Sequence, residues 1–314
     1  MTTPPRLLLA AAVALGTTVV SAQVSPTDAA AVPLAPIIVR APQTVADEAA
    51  GASFVGLEAL PHAQPGMAGF AELVPNFAVA SSGARSFGDI FAVRGLTNTP
   101  FFGDPAVAVY LDDLPLGAGF TFPAELTGFA SGALLRGPGQ NTRFGRAGPG
   151  GVLQFTTPAS VAVGQPEHAV GVSYGNFNAR SVTLSAGGAN GSGDVLVAAG
   201  YDARDGYVRN TTLNAEVDPQ ESLSTLARLR YRPVIHTELT LLLTAQRARD
   251  GAQALVPLGG PLFSVARTAE GQTDLEALNV GLTAAFDTDA GRLTAATTHT
   301  DWDLGPYSNS QVLF

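Results

Sequence analysis

Beyond residue 168, apolar and polar positions trade places at every second residue in segments of about ten residues. Val182, Leu184 and Ala186 alternate with Ser181, Thr183 and Ser185, and Leu239, Leu241, Leu243 and Ala245 with Glu238, Thr240, Thr244 and Gln246. In the clearest segment, Leu278, Val280, Leu282, Ala284 and Phe286 face Asn279, Gly281, Thr283, Ala285 and Asp287. A period of two sends the two sets to opposite faces of a strand, so each segment has one lipid-compatible face and one wet face. The pattern predicts about seven strands, near 169–176, 179–188, 194–204, 222–232, 238–247, 277–287 and 291–302. After the first hairpin the connections run short ("ANGSG"), long (residues 205–221), short ("PVIHT"), long (residues 248–276), short ("DAG"). Tight turns at one end and long loops at the other are the habit of outer-membrane barrels. A soluble β-sandwich would also alternate in hydrophobicity, but gives no reason for lopsided loops.

Residues 51–160 read differently, as a compact mixed domain. "FAELVPNFAVA" predicts a short helix and a turn, "IFAVRGL" a strand, "AVAVYLDDLPL" a strand entering a tight turn, and "GALLRGP" an apolar strand. Val107, Val109 and Leu111 alternate with Ala106, Ala108 and Tyr110, which leaves almost no polar face, so this strand is expected to be covered on both sides. Residues 161–314 then hold the barrel-type strands. Ahead of both, residues 23–50 are rich in Ala, Pro, Val and Gln without periodicity, as in a mobile arm. Within that arm "APIIVRAP" is a short extended peptide between prolines, suited to pairing with another chain as an added strand, or else the first strand of the folded domain.

Arg6 precedes "LLLAAAVALGTTVVSA", too short an apolar run to span a bilayer comfortably and ending in small residues, with Val20 and Ala22 placed for signal peptidase. Residues 1–22 are therefore expected to be a cleaved secretory signal peptide, and no later run is long enough for a transmembrane helix. Composition agrees with an exported β protein: 14% charged residues, with Gly 35 and Pro 22 in 314 residues, suit many strands and turns better than a helical enzyme. A net charge of -9 offers no broad basic surface to nucleic acid, and the absence of cysteine excludes disulfides and thiolate metal sites.

No chemistry of catalysis is legible. "GPGQNTRFGRAGPGG" lacks both the G-K-[ST] of a P-loop and a GxGxxG opening a helix. His62, His168, His236 and His299 lack metal-ligand spacing, and Asp112 and Asp113, adjacent in an extended segment, point to opposite faces. The chain is read as a non-enzyme that needs no cofactor and no metal.

Residues 91–116, "FAVRGLTNTPFFGDPAVAVYLDDLPL", and residues 134–157, "LLRGPGQNTRFGRAGPGGVLQFTT", together resemble the plug domain of TonB-dependent outer-membrane receptors. The matching pieces are Arg94-Gly95, Val109-Tyr110-Leu111-Asp112, Leu135-Arg136-Gly137-Pro138, Phe144-Gly145 and Gly150-Gly151-Val152. "YGNFNARSVTLSAGG" and "DARDGYVRN" look like the family's first barrel hairpin and first substantial loop. The chain departs from the pattern at Asp113, where the family has Gly, and at Gly132 and Ala133, near which the family carries a Glu. Asp tolerates a left-handed turn, and the lost Glu implies one missing polar contact.

The resemblance implies a mixed α/β plug followed by antiparallel transmembrane β-barrel strands. It also implies localisation in the outer membrane of a Gram-negative bacterium, surrounded by its lipid, and energised uptake of a scarce solute, a ferric siderophore being the family default. TonB, with its inner-membrane energising complex, would engage Pro36, Ile37, Ile38, Val39, Arg40 and Ala41. Arg94, Gly95, Arg136, Gly137, Pro138, Arg143 and Arg146 would hold the plug through charge-assisted contacts to acidic groups on the lumen wall, where glycine lets the backbone approach closely. Arg85, Phe87, Phe101 and Phe102, on the plug apices, would meet the ligand, an iron chelate. Seven strands, or eight with "YSNSQVLF", enclose no space for a plug of this size, so the chain reads as the first part of a larger barrel, which the resemblance implies has about 22 strands. A truncated, non-transporting binding or signalling derivative, or a small porin or adhesin, are the other readings.

Overall fold

The computed structural model describes residues 51–60, 66–81, 89–97, 106–117, 121–122, 125–137, 144, 148–159, 163–251, 256, 258–269 and 271–308. All of them fall in one compact unit, Pro42–Phe314. Strand β1 (Ser53–Gly56), helix α1 (Gly66–Leu73) and strands β2 (Phe77–Ser81), β3 (Asp89–Val93) and β4 (Leu96–Thr97) open it. Strands β5 (Val107–Leu111), β6 (Leu114–Pro115), β7 (Ser131–Leu135) and β8 (Gly151–Thr156) complete the mixed region. Its main sheet has the order β1-β7-β8-β5-β6, with β5 and β8 parallel and β1 on an edge. As its pattern predicts, every residue of β5 is buried.

Aromatic rings fill the space between this sheet, α1 and β2–β4. Phe70 lies 5.4 Å from Phe155 and 6.0 Å from Phe77 between ring centroids, and Phe91 stacks on Phe122 at 5.8 Å. This packing explains the missing Glu near Gly132. A Cβ on Gly132 would stand 2.5 Å from Phe70 Cε2 and 2.8 Å from Phe155 Cε1, so no side chain fits under the two rings. Likewise a Cβ on Gly148 would meet Ala106 O at 2.1 Å, which is the close backbone approach expected of the glycine-rich stretch.

All of the strands expected beyond residue 168 form one sheet: β9 (Glu167–Tyr174), β10 (Arg180–Asn190), β11 (Gly193–Arg204), β14 (Gln220–Tyr231), β15 (Thr237–Gly251), β17 (Gln272–Thr288) and β18 (Gly291–Ser308). They pair antiparallel in chain order and, among the described residues, the sheet does not close. Two-residue to five-residue turns lie at one end, and at the other the long connections carry structure of their own. There β12 (Val208–Asn210), β13 (Ala215–Val217) and β16 (Ser264–Val265) form a small sheet across two loops. The expectation of plain loops fails because Val208, Val217 and Val265 bury one another.

The outward face of the large sheet is apolar: Leu223, Leu229 and Tyr231 on β14, Leu241 on β15, and Leu278, Leu282 and Phe286 on β17 are exposed. Leu223 and Tyr231 are eight residues apart on one strand, roughly 26 Å along it and about 20 Å along the normal at a typical barrel tilt. A half-exposed Arg247–Glu276 ion pair at 3.1 Å bounds this belt towards the long loops. On β11, β14, β15 and β17 the inward face is largely covered and not, as the pattern suggests, wet, whereas on β10 and β18 inward residues such as Thr183 and Thr294 are exposed. Leu196, Ala198, Leu226 and Leu242 belong to the same buried core as Phe70, Val107 and Phe155. The mixed region packs against the sheet and takes the place of water.

Gly132→Ala is expected to destabilise the mixed region by about 1–3 kcal/mol through overpacking against Phe70 and Phe155. Hydrogen exchange of the β7 and β8 amides checks this: protection should fall there and stay unchanged in β14 and β15.

Candidate functional site at the junction of the two regions

The three arginines of "ARLRYRP" sit at a spacing of two, and strand geometry therefore gives them one face. On β14 that face is inward. Arg228 is 2% exposed and reaches two segments at once: Nη2 donates to Asp194 Oδ1 on neighbouring β11 (2.8 Å), while Nη1 donates to Pro158 O (2.5 Å) and to Thr157 Oγ1 just past β8. Thr157 is held from its other side by Asp112, whose carboxylate accepts the Thr157 backbone N–H and hydroxyl, each at 2.9 Å.

Asp112 occupies the two-residue turn between β5 and β6 with φ 52°. The left-handed position of that turn is thus Asp112 and not Asp113, a correction to the sequence-based expectation. The reason is that an Asp at the first turn position can use its side chain to cap the adjacent strand end, which a Gly there could not.

From Asp194 the charges continue across the sheet. Arg230 Nη1 lies 3.4 Å from Asp194 Oδ2, Arg232 Nε 2.9 Å from Glu238 Oε2 on β15, and Arg292 Nη2 3.5 Å from Glu238 Oε1. Exposure grades their worth. Arg292 and Arg232 are half in solvent, where ion pairs contribute little. The side chains of Arg228 and Asp194 are each 1% exposed, and removing Asp194 would leave the Arg228 charge buried among neutral acceptors, whereas Asp194 also has Arg230 and Arg232 close by.

A second arginine works at the opposite end of the mixed region. Arg136, at the end of β7, donates to Gly51 O (2.7 Å), Ser53 Oγ (3.0 Å) and Pro75 O (2.5 Å). These oxygens lie at the start of β1 and beyond α1, so the guanidinium ties the chain's entry to the core. Burial, and then the like charge of Arg94, push the Arg136 guanidinium below the ordinary arginine value. Arg94 and Gly95 form the left-handed turn from β3 to β4, at φ 51° and 81°, the type I′ geometry that tightens a hairpin. The structure therefore brings Arg94 and Arg136 together beside Gly51. The described bonds of Arg136 go to oxygens of its own region and not to acidic groups on the sheet, as the resemblance implied.

Gly137, with φ 119°, turns the chain after the Arg136 clamp. Pro138, Arg143, Arg146, Arg85, Phe87, Phe101, Phe102 and residues 36–41 lie outside the described residues. Sequence reasoning missed Arg228, Asp194, Thr157 and Glu238, although the R-x-R-x-R spacing on a strand was a usable signal. Among the described residues no cluster of His, Asp and Glu could hold a metal ion.

No family model matches the sequence. The structure of the ferric yersiniabactin uptake receptor FyuA from Yersinia pestis superposes on 82% of this chain with a TM-score of 0.69 at 19% identity. The fold is that of a TonB-dependent outer-membrane receptor. The mixed region is its plug and the large sheet is part of its barrel. The ferric citrate transporter FecA gives the same picture, with a TM-score of 0.61 at 18% identity over 81% of the chain. The pesticin receptor of Yersinia pestis is 35% identical over 85 residues, which is 27% of this chain and 12% of that protein. The chain spans 42% of FyuA and 40% of FecA, less than half of either. These solved neighbours are receptors and transporters, not enzymes.

Arg228 thus joins plug to barrel at the point where one becomes the other. Asp194→Leu is expected to cost about 3–5 kcal/mol by leaving the buried Arg228 guanidinium without its counter-charge, and Arg228→Met in the same chain to recover most of that loss. Proteolysis of the plug exit near Pro158 in isolated outer membranes measures it, the single variant being cut faster than the double.

Proposed function

We propose that this chain forms the plug and the first barrel strands of a receptor for energised uptake of a scarce solute, a ferric siderophore foremost, across the outer membrane. Residues 1–22 direct export and are removed, residues 23–50 form a periplasmic arm, residues 51–160 the plug, and residues 161–314 barrel wall. TonB engages Pro36, Ile37, Ile38, Val39, Arg40 and Ala41 as an added strand and supplies the force that the barrel lacks.

The observation that carries this reading is the placement of two buried arginines at the two ends of the plug. Arg136 grips the chain where the arm enters, and β1 behind it is an edge strand paired only with β7, from Ser53↔Leu134 to Gly56↔Ser131. Arg228 holds the exit to the barrel wall. A pull on the arm therefore loads a short edge strand and one guanidinium first, while the far end stays fixed. Such an arrangement opens part of the plug without expelling it. The iron complexes named for FyuA and FecA favour an iron chelate as the solute.

Deleting residues 36–41 is expected to reduce accumulation of radiolabelled ferric chelate to the background of a TonB-deficient strain while leaving surface retention intact. Undiminished accumulation in the deletion would sink the coupling proposal, and would be the result for a porin or adhesin.

A further inference from the structure

The plug does not meet the wall evenly. On β11, β14 and β15 it rests on Leu196, Ala198, Leu226 and Leu242, which share its buried core, and Arg228 fixes its exit. Among the described residues, β17 and β18 contribute nothing to that core. There the plug comes close at glycines instead: Leu114 lies over Gly281, and a Cβ on Gly117 would stand 3.3 Å from Thr300 Cβ.

A cavity marks the change from one kind of contact to the other. It is bounded by Thr121, Glu125 and Thr127, in the connection from β6 to β7, and by Ser224, Gln246 and Asn279 of the wall. About 20 Å³ of it is open to the centre of a water molecule. That is room for a water, and the lining supplies the polar partners that a buried water needs. On the β14 side the bond of 2.7 Å between Thr127 Oγ1 and Ser224 Oγ closes it. Two surfaces part at least cost where few apolar contacts hold them and water can already serve the polar groups that separation exposes.

Beyond the cavity the wall keeps one chemistry. The inward positions Thr244, Gln246, Asn279, Thr283, Thr298 and Thr300 carry hydroxyls and amides across β15, β17 and β18. Asn279 links the three strands, donating to Thr244 Oγ1 at 3.2 Å and accepting from Thr300 Oγ1 at 2.8 Å. Between Asp250 at the long-loop end and the Glu238, Arg292 and Asp287 group at the short turns, no described inward position of these strands is charged. Such a surface offers a hydrated solute many weak hydrogen bonds and no counter-charge to hold it, which is what passage requires.

We infer that the plug parts from the wall along β15, β17 and β18, starting at the cavity, and that a hydrated polar solute passes there over Gln246, Asn279, Thr283 and Thr298 while the plug stays fastened to β11 and β14. The inference rests on the receptor reading above and assigns the route within it.

The chain has no native cysteine to compete with introduced ones. Gly117→Cys with Thr300→Cys bridges the plug to β18 across the route, the 3.3 Å between Cβ positions being close to the roughly 3.5–4.5 Å of a disulfide. Thr127→Cys with Ser224→Cys bridges it to β14 on the fastened side. In cells given radiolabelled ferric citrate, the oxidised 117–300 pair should keep surface retention, lose accumulation, and regain it on reduction. The oxidised 127–224 pair should accumulate as the wild type does. Undiminished accumulation with the 117–300 pair closed, or an equal block by both pairs, overturns the inference.

A second measurement does not depend on transport. In the purified receptor, urea below global unfolding should raise the reaction of Thr283→Cys with a hydrophilic maleimide roughly tenfold more than that of Ala198→Cys, although both native side chains are buried. Equal or reversed acceleration overturns the inference. If the wild type accumulates no probe, the transport reading falls, and the order of labelling alone upholds or removes the proposed line of parting.

Discussion

A buried guanidinium must find several oxygens together or its burial is costly, and Arg228 finds three of them on two segments distant in sequence. One belongs to the barrel neighbour β11, two to the chain leaving the plug, and the Asp112 turn braces those two from behind. This requirement fixes where the plug ends relative to the wall. The buried interface between β5, β8 and the inward residues of β11, β14 and β15 is built around that fixed point.

Away from the arginine, the interface is neutral and close. Thr127 Oγ1 and Ser224 Oγ share a hydrogen bond of 2.7 Å between plug and wall, and Leu196, Leu226 and Leu242 extend the plug core into the barrel. Neutral contacts of this sort can be broken and remade cheaply compared with a stranded charge. The junction thus concentrates its charged attachment at the exit, where Arg228 sits, and leaves the rest of the contact surface neutral.

The loop end follows the opposite logic. There the chain accepts left-handed backbone at Phe177 and Phe263 and spends a fully buried Asn210 on joining loops, so that the loops are held in a set geometry.

The strands of the wall were legible because alternation with a period of two survives in any strand with a lipid face, and because a bilayer forces turns and loops to opposite ends. The order of plug elements was legible from apolar runs and turn residues. The face called wet was not dry by sequence, since Thr244 and Gln246 look the same whether water or a plug stands opposite. Arg136 was singled out, yet its partners are two carbonyls and a serine hydroxyl, and main-chain oxygens carry no mark in a sequence. Arg228, Asp194, Thr157 and Asp112 lie up to 116 positions apart, as the difference between 228 and 112 shows, and only the tertiary structure brings them together. By itself the sequence determined which segments are strands and which of their faces are apolar, because those are local and periodic properties. The tertiary structure decided which charges are paired and which loops are joined, because a buried charge or a strained turn is stabilised by neighbours that the chain brings from far away.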